Sequence, residues 1–247
     1  MATVFEAANF HFTPPPQLAW ARRVLIKPSA SSAYPYPVTT SPELLQKVVS
    51  AIRSVTDAEI LIADSTPSGA PIYPIYETLK YAFKRVLLLD VKDSIFLEME
   101  NPLDEFFATS TFWIPNLVLR SDFLISIAPF HVHRGSGRFS IANLLGLLPL
   151  VQRQPGEAPE LQGLRDLDLE RVLADLHFAL PFDLGIVEAR ERLDYVDSPQ
   201  EGKATQYGKI IVGEPLEVDL LAAKLAGART EHLSLIELGI RVLPGTD

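Results

Sequence analysis

His131 and His133 stand two residues apart, after an apolar run and just before a glycine turn. In extended backbone both rings face one way, so both can meet one metal ion or one substrate. Two imidazoles alone hold a metal weakly, and Asp64, Glu188 or Asp219 would supply the third ligand. The competing reading makes one histidine a hydrogen-bonded structural residue and leaves the other in solvent. Next comes Arg134-Gly135-Ser136-Gly137-Arg138. Its glycines permit positive φ and close backbone approach, and a helix beginning near Phe139 would present its N-terminus to the turn. Backbone donors, a helix dipole and two guanidinium groups favour an anion, a carboxylate or a phosphate. A solvated turn is the other reading. Gly-Lys-Ser/Thr is absent and the spacing G-x-G-x-x-G is not met, which excludes a Walker loop and the dinucleotide fingerprint. The run His-Arg-Gly-Ser-Gly is no nucleophile elbow, so Ser136 is not read as a hydrolase nucleophile.

The elements that would position these groups are short apolar runs. Val24–Ile26 ends at Lys27-Pro28, Ile60–Ala63 at Asp64, Val86–Leu89 at Asp90, and Phe123–Ile127 just ahead of the histidines. They are continuous rather than alternating, as in strands buried on both faces. Thr40-Ser41-Pro42-Glu43 has the form of a helix start, followed by Leu44, Leu45, Val48, Val49 and Ile52 at helical spacing. Further helices are expected over Ile75–Phe83, Leu167–Leu180, Leu216–Ala226 (closed by Gly227) and Leu233–Leu238. Strands are expected at Leu184–Val187 and Ile210–Gly213, with a long polar loop over Asp194–Tyr207. The alternation predicts an α/β fold: a mostly parallel sheet with helices on both faces, in a Rossmann-like three-layer architecture. Residues 1–20 read as an irregular arm and 21–247 as a single α/β domain, which the polar segment 152–166 either decorates or divides.

In such a sheet the strand carboxyl ends share one edge, where α/β proteins bind ligands. Lys27 and Asp64 would then form a crevice floor, with His133 as ligand or general base and His131 as its partner. Arg134, Arg138 and the amides of Gly135, Ser136 and Gly137 would hold the anion. Asp90 either joins them or marks where a strand meets water. Asn143, on an apolar helix face, must cap backbone or reach the crevice. Asp219, in the first turn of a helix, either complements the helix dipole or faces the crevice.

Composition bounds the partners. The chain has 247 residues, 47% of them hydrophobic, and a formal net charge of −9. That charge weighs against a nucleic-acid groove or an anionic membrane surface. With no cysteine, no thiol nucleophile, disulfide or iron–sulfur cluster exists within this chain. The first residues show no basic and apolar leader pattern, and the apolar runs are too short for a bilayer. A cytoplasmic protein is expected, with a small anionic molecule as partner and neither nucleic acid nor membrane. A protein partner or second copy and a divalent metal cofactor stay open.

An ordered series of segments resembles a known family. The series is Ile-Lys-Pro, Val-Thr-Thr-Ser-Pro-Glu, Ile-Ala-Asp-Ser, Ser-Asp-Phe-Leu-Ile-Ser-Ile, a histidine turn, Ala-Asn-Leu-Leu-Gly-Leu-Leu-Pro, and Gly-Lys-Ile-Ile-Val-Gly-Glu-Pro. From about Val24 to Gly239 the chain is similar to the domain-of-unknown-function family numbered 362. Many members carry a ferredoxin-like iron–sulfur module, which this chain lacks. The family's central pattern of Lys-Thr-His, then Lys-Asn, corresponds here to His131-Val132-His133 and Ala142-Asn143. The resemblance keeps the histidine and the asparagine and loses both lysines. Two readings of function follow: an enzyme acting on a small anion, with metal assistance as an option, or a non-catalytic ligand-binding or accessory protein serving a redox or metal-handling partner.

Overall fold

The computed structural model describes residues 1–153, 164 and 167–243. Most of the segment read as a linker, 154–163 and 165–166, lies outside the described residues. The fold is mixed α/β around an eight-stranded sheet. In chain order its strands are β1 (Thr3–Glu6), β2 (Arg23–Pro28), β3 (Glu59–Asp64), β4 (Val86–Asp90), β7 (Phe123–His133), β8 (Ser136–Arg138), β9 (Leu184–Tyr195) and β10 (Lys203–Gly213). Strands β5 (Phe96–Glu100) and β6 (Thr111–Pro115) form a separate antiparallel pair. The helices are α1 (Pro42–Val55), α2 (Tyr73–Thr78), α3 (Asn116–Leu119), α4 (Leu150–Arg153), α5 (Leu169–Ala179), α6 (Pro215–Ala226) and α7 (Glu231–Val242).

The sheet runs β1-β10-β9-β7-β2-β3-β4, with β8 attached to β7. From β9 to β4 every pairing is parallel, whereas β10, β1 and β8 join antiparallel. From β2 the chain steps outward through β3 to β4, then returns to β7 on the other side of β2 and steps outward to β9. The order therefore reverses between β2 and β7, and ligands of open α/β sheets bind beyond the strand ends at such a reversal.

Both faces of the central strands are buried, which explains their unbroken apolar runs. Val24, Ile26, Ile60, Ile62, Ile125 and Ile127 pack with the apolar side of α1. Leu25, Leu61 and Ala63 face the opposite way, into a cluster with Val172 and Leu176 of α5. Helix α1 starts where its capping residues stand: Ser41 Oγ accepts the Leu44 N–H at 3.1 Å, and Pro42 fills the first turn. Such a cap stabilises a helix by about 1 kcal/mol.

Several elements differ from expectation. Strand β7 does not stop at Ile127 but runs to His133, because Phe130 and Val132 are buried while the alternate histidines are less so. It leaves β2 after Ile127 and pairs with β8 from His131. No α-helix begins near Phe139; Ala142–Leu147 is a short 3-10 helix instead. The expected polar loop over Asp194–Tyr207 is largely the tip of a β9–β10 hairpin, in which Lys203, Ala204, Thr205 and Gln206 are all exposed. Within the arm 1–20, Thr3–Glu6 pairs with β10 at the sheet edge. The helix expected through Phe83 ends at Thr78, and Lys80 adopts φ 60 just beyond it.

Candidate functional site

Where β2 and β3 end and β7 continues, the sheet edge opens into a cavity of about 350 Å³. Its wall includes Lys27, Asp64, His131, His133, Arg138 and Arg153.

The floor is a buried ion pair. Lys27 Nζ lies 2.8 Å from Asp64 Oδ1, and both side chains are 2% exposed. The same ammonium donates to Pro28 O at 2.7 Å and to Asn143 Oδ1 at 3.0 Å, which engages all three of its protons. Asp64 also accepts the amides of Ala30 and Ser65. Asn143 in turn donates to Lys27 O and Ser126 Oγ. Burial lowers the Lys27 pKa from its ordinary value, and Asp64 opposes that shift. Gly146 lets the 3-10 helix close over this floor: a Cβ there would lie 2.9 Å from Lys27 Nζ.

The histidines form one wall, on the long C-terminal half of β7. His131 Nε2 is 2.7 Å from Pro37 O, and His133 Nε2 is 2.8 Å from Val196 O. A carbonyl only accepts, so in each ring Nε2 carries a proton, and in the neutral His131 ring Nδ1 holds the lone pair. Burial lowers His131 to about 4, partly opposed by the Pro37 carbonyl. The Tyr195 ring stacks on His133 at 4.9 Å and meets His131 edge-on at 5.5 Å. Pro37 is held near this wall by its neighbour: the Tyr36 hydroxyl accepts the Glu191 N–H at 2.6 Å and lies 3.2 Å from Glu188 O.

The turn after β7 is a hairpin, not an open cradle. Arg134 (φ 50) and Gly135 (φ 81) are the two central residues between the paired His133 and Ser136, and such tight hairpin turns need positive φ at both. The Gly137 amide donates to Arg229 O, and Gly135 O accepts the Arg229 amide. Ser136 forms a bridge with Arg229. Arg134 projects to Asp197 at 2.7 Å and is mostly exposed. Arg134, Gly135, Ser136 and Gly137 are outside the cavity lining, whereas Arg138 is within it. Arg138 pairs with Glu170 at 2.6 Å, and Glu170 is bonded in turn by His232 Nδ1 at 2.6 Å.

The remaining carboxylates hold backbone. Asp219 accepts from Ser140 N, Ser140 Oγ and Ile141 N at 2.9, 2.5 and 2.9 Å, fixing the entry to the 3-10 helix. Burial raises it to about 6. Glu188 receives Ser41 N–H and Oγ–H and pairs with Arg190. Asp90 accepts the Ile72 and Lys92 amides. Asp64, Glu188 and Asp219, the candidates for a third metal ligand, thus each have other partners, and the described residues contain no cluster of three or more metal-ligating side chains.

Arg153 had no place in the sequence reading, because it lies in a segment that resembles a polar linker. It donates to Ser65 Oγ at 2.8 Å and Thr66 O at 3.4 Å. Among the described residues no carboxylate forms an ion pair with it, and its Nε is buried without a partner. Burial lowers its pKa, with Asp64 opposing. Tyr195 was missed for a similar reason, since it stood in an expected loop.

No helix among the described residues is long and apolar enough to cross a membrane. No curated protein matches the chain. A family model described as Domain of unknown function (DUF362) matches residues 24–224, a span that takes in the cavity floor, the histidine wall, Arg153 and Tyr195. The match covers most of the sequence, and the chain belongs to this family.

Proposed function

We propose that the chain binds a small anionic ligand, a carboxylate or a phosphate, in the cavity at the β2–β7 reversal. The observation that carries this reading is Arg153, a guanidinium in the cavity wall with no ion-pair partner among the described residues and an unmet buried N–H. Its neighbours reinforce it. Lys27 is offset by Asp64 and Arg138 by Glu170, so among the described residues Arg153 leaves the site one positive charge in excess while His131 is neutral. A buried donor without an acceptor is costly, and an anion would supply the acceptor. The volume suits a small metabolite. The Rossmann-like, three-layer reading of the architecture is part of this proposal, since it makes the reversal the ligand site.

Binding is preferred over metal-assisted chemistry because each carboxylate named as a third ligand is already committed: Asp64 to Lys27, Glu188 to Ser41 and Arg190, and Asp219 to Ser140 and Ile141. A proton-accepting role for His131 is the second reading. A neutral imidazole with its proton fixed on Nε2 offers Nδ1 as a base.

Titration calorimetry with inorganic phosphate and with acetate tests the proposal. Arg153→Met should weaken binding at least about tenfold, the loss expected for a charge-assisted hydrogen bond. Arg153→Lys should retain part of it. Wild-type affinity in a folded Arg153→Met protein would remove the proposal's support.

A further inference from the structure

Arg153 lines two chambers. The second, also about 350 Å³, is bounded by Leu145, Leu164, Leu167, Leu169 and Val172 with Arg153. Leu145, Leu169 and Arg153 are common to both, so the polar crevice and the apolar chamber meet at one guanidinium. Arg153 is the only charged or polar side chain in the described lining of the second chamber. Leu169 is 38% exposed, an apolar surface that a hydrocarbon would cover.

A small inorganic anion would satisfy Arg153 and leave the leucine chamber unfilled. A long polar ligand would lose hydration against the described leucine and valine walls, which offer it no hydrogen bond in return. A chamber whose described wall is aliphatic apart from Arg153 takes hydrocarbon. Resting on the anion reading of the crevice, we propose that the ligand is an amphiphilic anion: a carboxylate or phosphate head at Arg153 and a single hydrocarbon tail among Leu145, Leu164, Leu167 and Val172. Arg153 then sets the boundary between head and tail.

The test measures binding of straight-chain carboxylates from acetate to decanoate, below their micelle concentrations, to the full chain. Matched straight-chain alcohols serve as neutral controls. Affinity should rise about fourfold per added methylene until the chamber is filled, the gain expected for burying one methylene. Alcohols should bind at least tenfold more weakly at equal length. Leu167→Glu, at a residue that lines the second chamber and not the crevice, should flatten the dependence on length while acetate binding survives. Carboxylates that bind with no dependence on length would overturn the tail and leave the anion reading standing. A dependence on length that persists in Leu167→Glu would likewise overturn it, because the tail would lie elsewhere. Alcohols equal to carboxylates would overturn the head at Arg153. Failure of acetate, phosphate and every longer acid to bind would instead sink the anion reading itself.

Discussion

Lys27 illustrates what a residue's surroundings decide. Its three protons meet three acceptors, and one of them, Asn143 Oδ1, lies 116 positions away in sequence. It is a floor strut more than a free ammonium. Lys27→Met would leave Asp64 buried without its counter-charge and should cost about 3–5 kcal/mol in urea unfolding. Lys27→Met combined with Asp64→Leu should recover much of that loss. A single-variant cost below about 1 kcal/mol would show that the pair is not buried as described. His131 makes a second prediction. The unfolded imidazole takes its proton near 6.5, the folded one only near 4. The unfolded chain therefore binds more protons between those values, and stability falls as pH drops through that window, by up to about 3 kcal/mol. Asp219 acts oppositely. Its folded value is raised from 3.8 to about 6, so its contribution is lost as pH rises through 6 and regained on acidification. His131→Asn removes only the first effect, so the variant should lose less stability between pH 6.5 and 4 than the wild type. Parallel pH–stability curves would contradict a buried neutral ring. At this scale the sequence revealed which residues end the strands, because Lys27 and Asp64 interrupt apolar runs. It could not reveal whether their polar atoms face a ligand or each other.

At the scale of elements, the 3-10 helix Ala142–Leu147 is the least legible piece and the most consequential. Its apolar pattern reads as an α-helix, yet Asp219 fixes its entry from a distant helix and the close approach at Gly146 fixes its position over the floor. Gly146→Ala should cost about 1–3 kcal/mol, the usual penalty for overpacking, and should weaken anion binding as the floor shifts. Gly208→Ala is the matched control. That residue has φ +74 but open space around it, so its variant should be strained and still bind normally. Equal binding by both variants would refute the role given to Gly146. The strands were legible because burial on both faces leaves a continuous apolar signature. The outer half of β7 was not, because Pro129 and two histidines imitate a turn.

Across the whole molecule, a buried carboxylate on α5 ties down the loop between β5 and β6. Asp175 on α5 accepts the amides of Phe107, Ala108 and Thr109 and the Asn101 side chain. Asp175→Ala leaves those donors unmet, and amide exchange over residues 101–109 should accelerate while β2, β3 and β7 stay protected. Uniform acceleration would mean that the segment is not a separate unit. Nothing local in the sequence marks Asp175, which sits among apolar helix positions with partners some seventy residues away.

The unequal construction of β7 and β9 constrains how the chain can change in length. Beside Pro129, which has no amide proton, Ala189, Arg190 and Glu191 of β9 have no counterpart on β7. Extra residues are thus already absorbed there, with the Tyr36 hydroxyl bonding the displaced Glu191 amide. A single residue inserted into β7 after Phe130 would instead turn both imidazoles to the opposite face of the sheet. Insertions and deletions should therefore be tolerated better at the Ala189–Glu191 offset of β9 than in β7, where they should abolish the site.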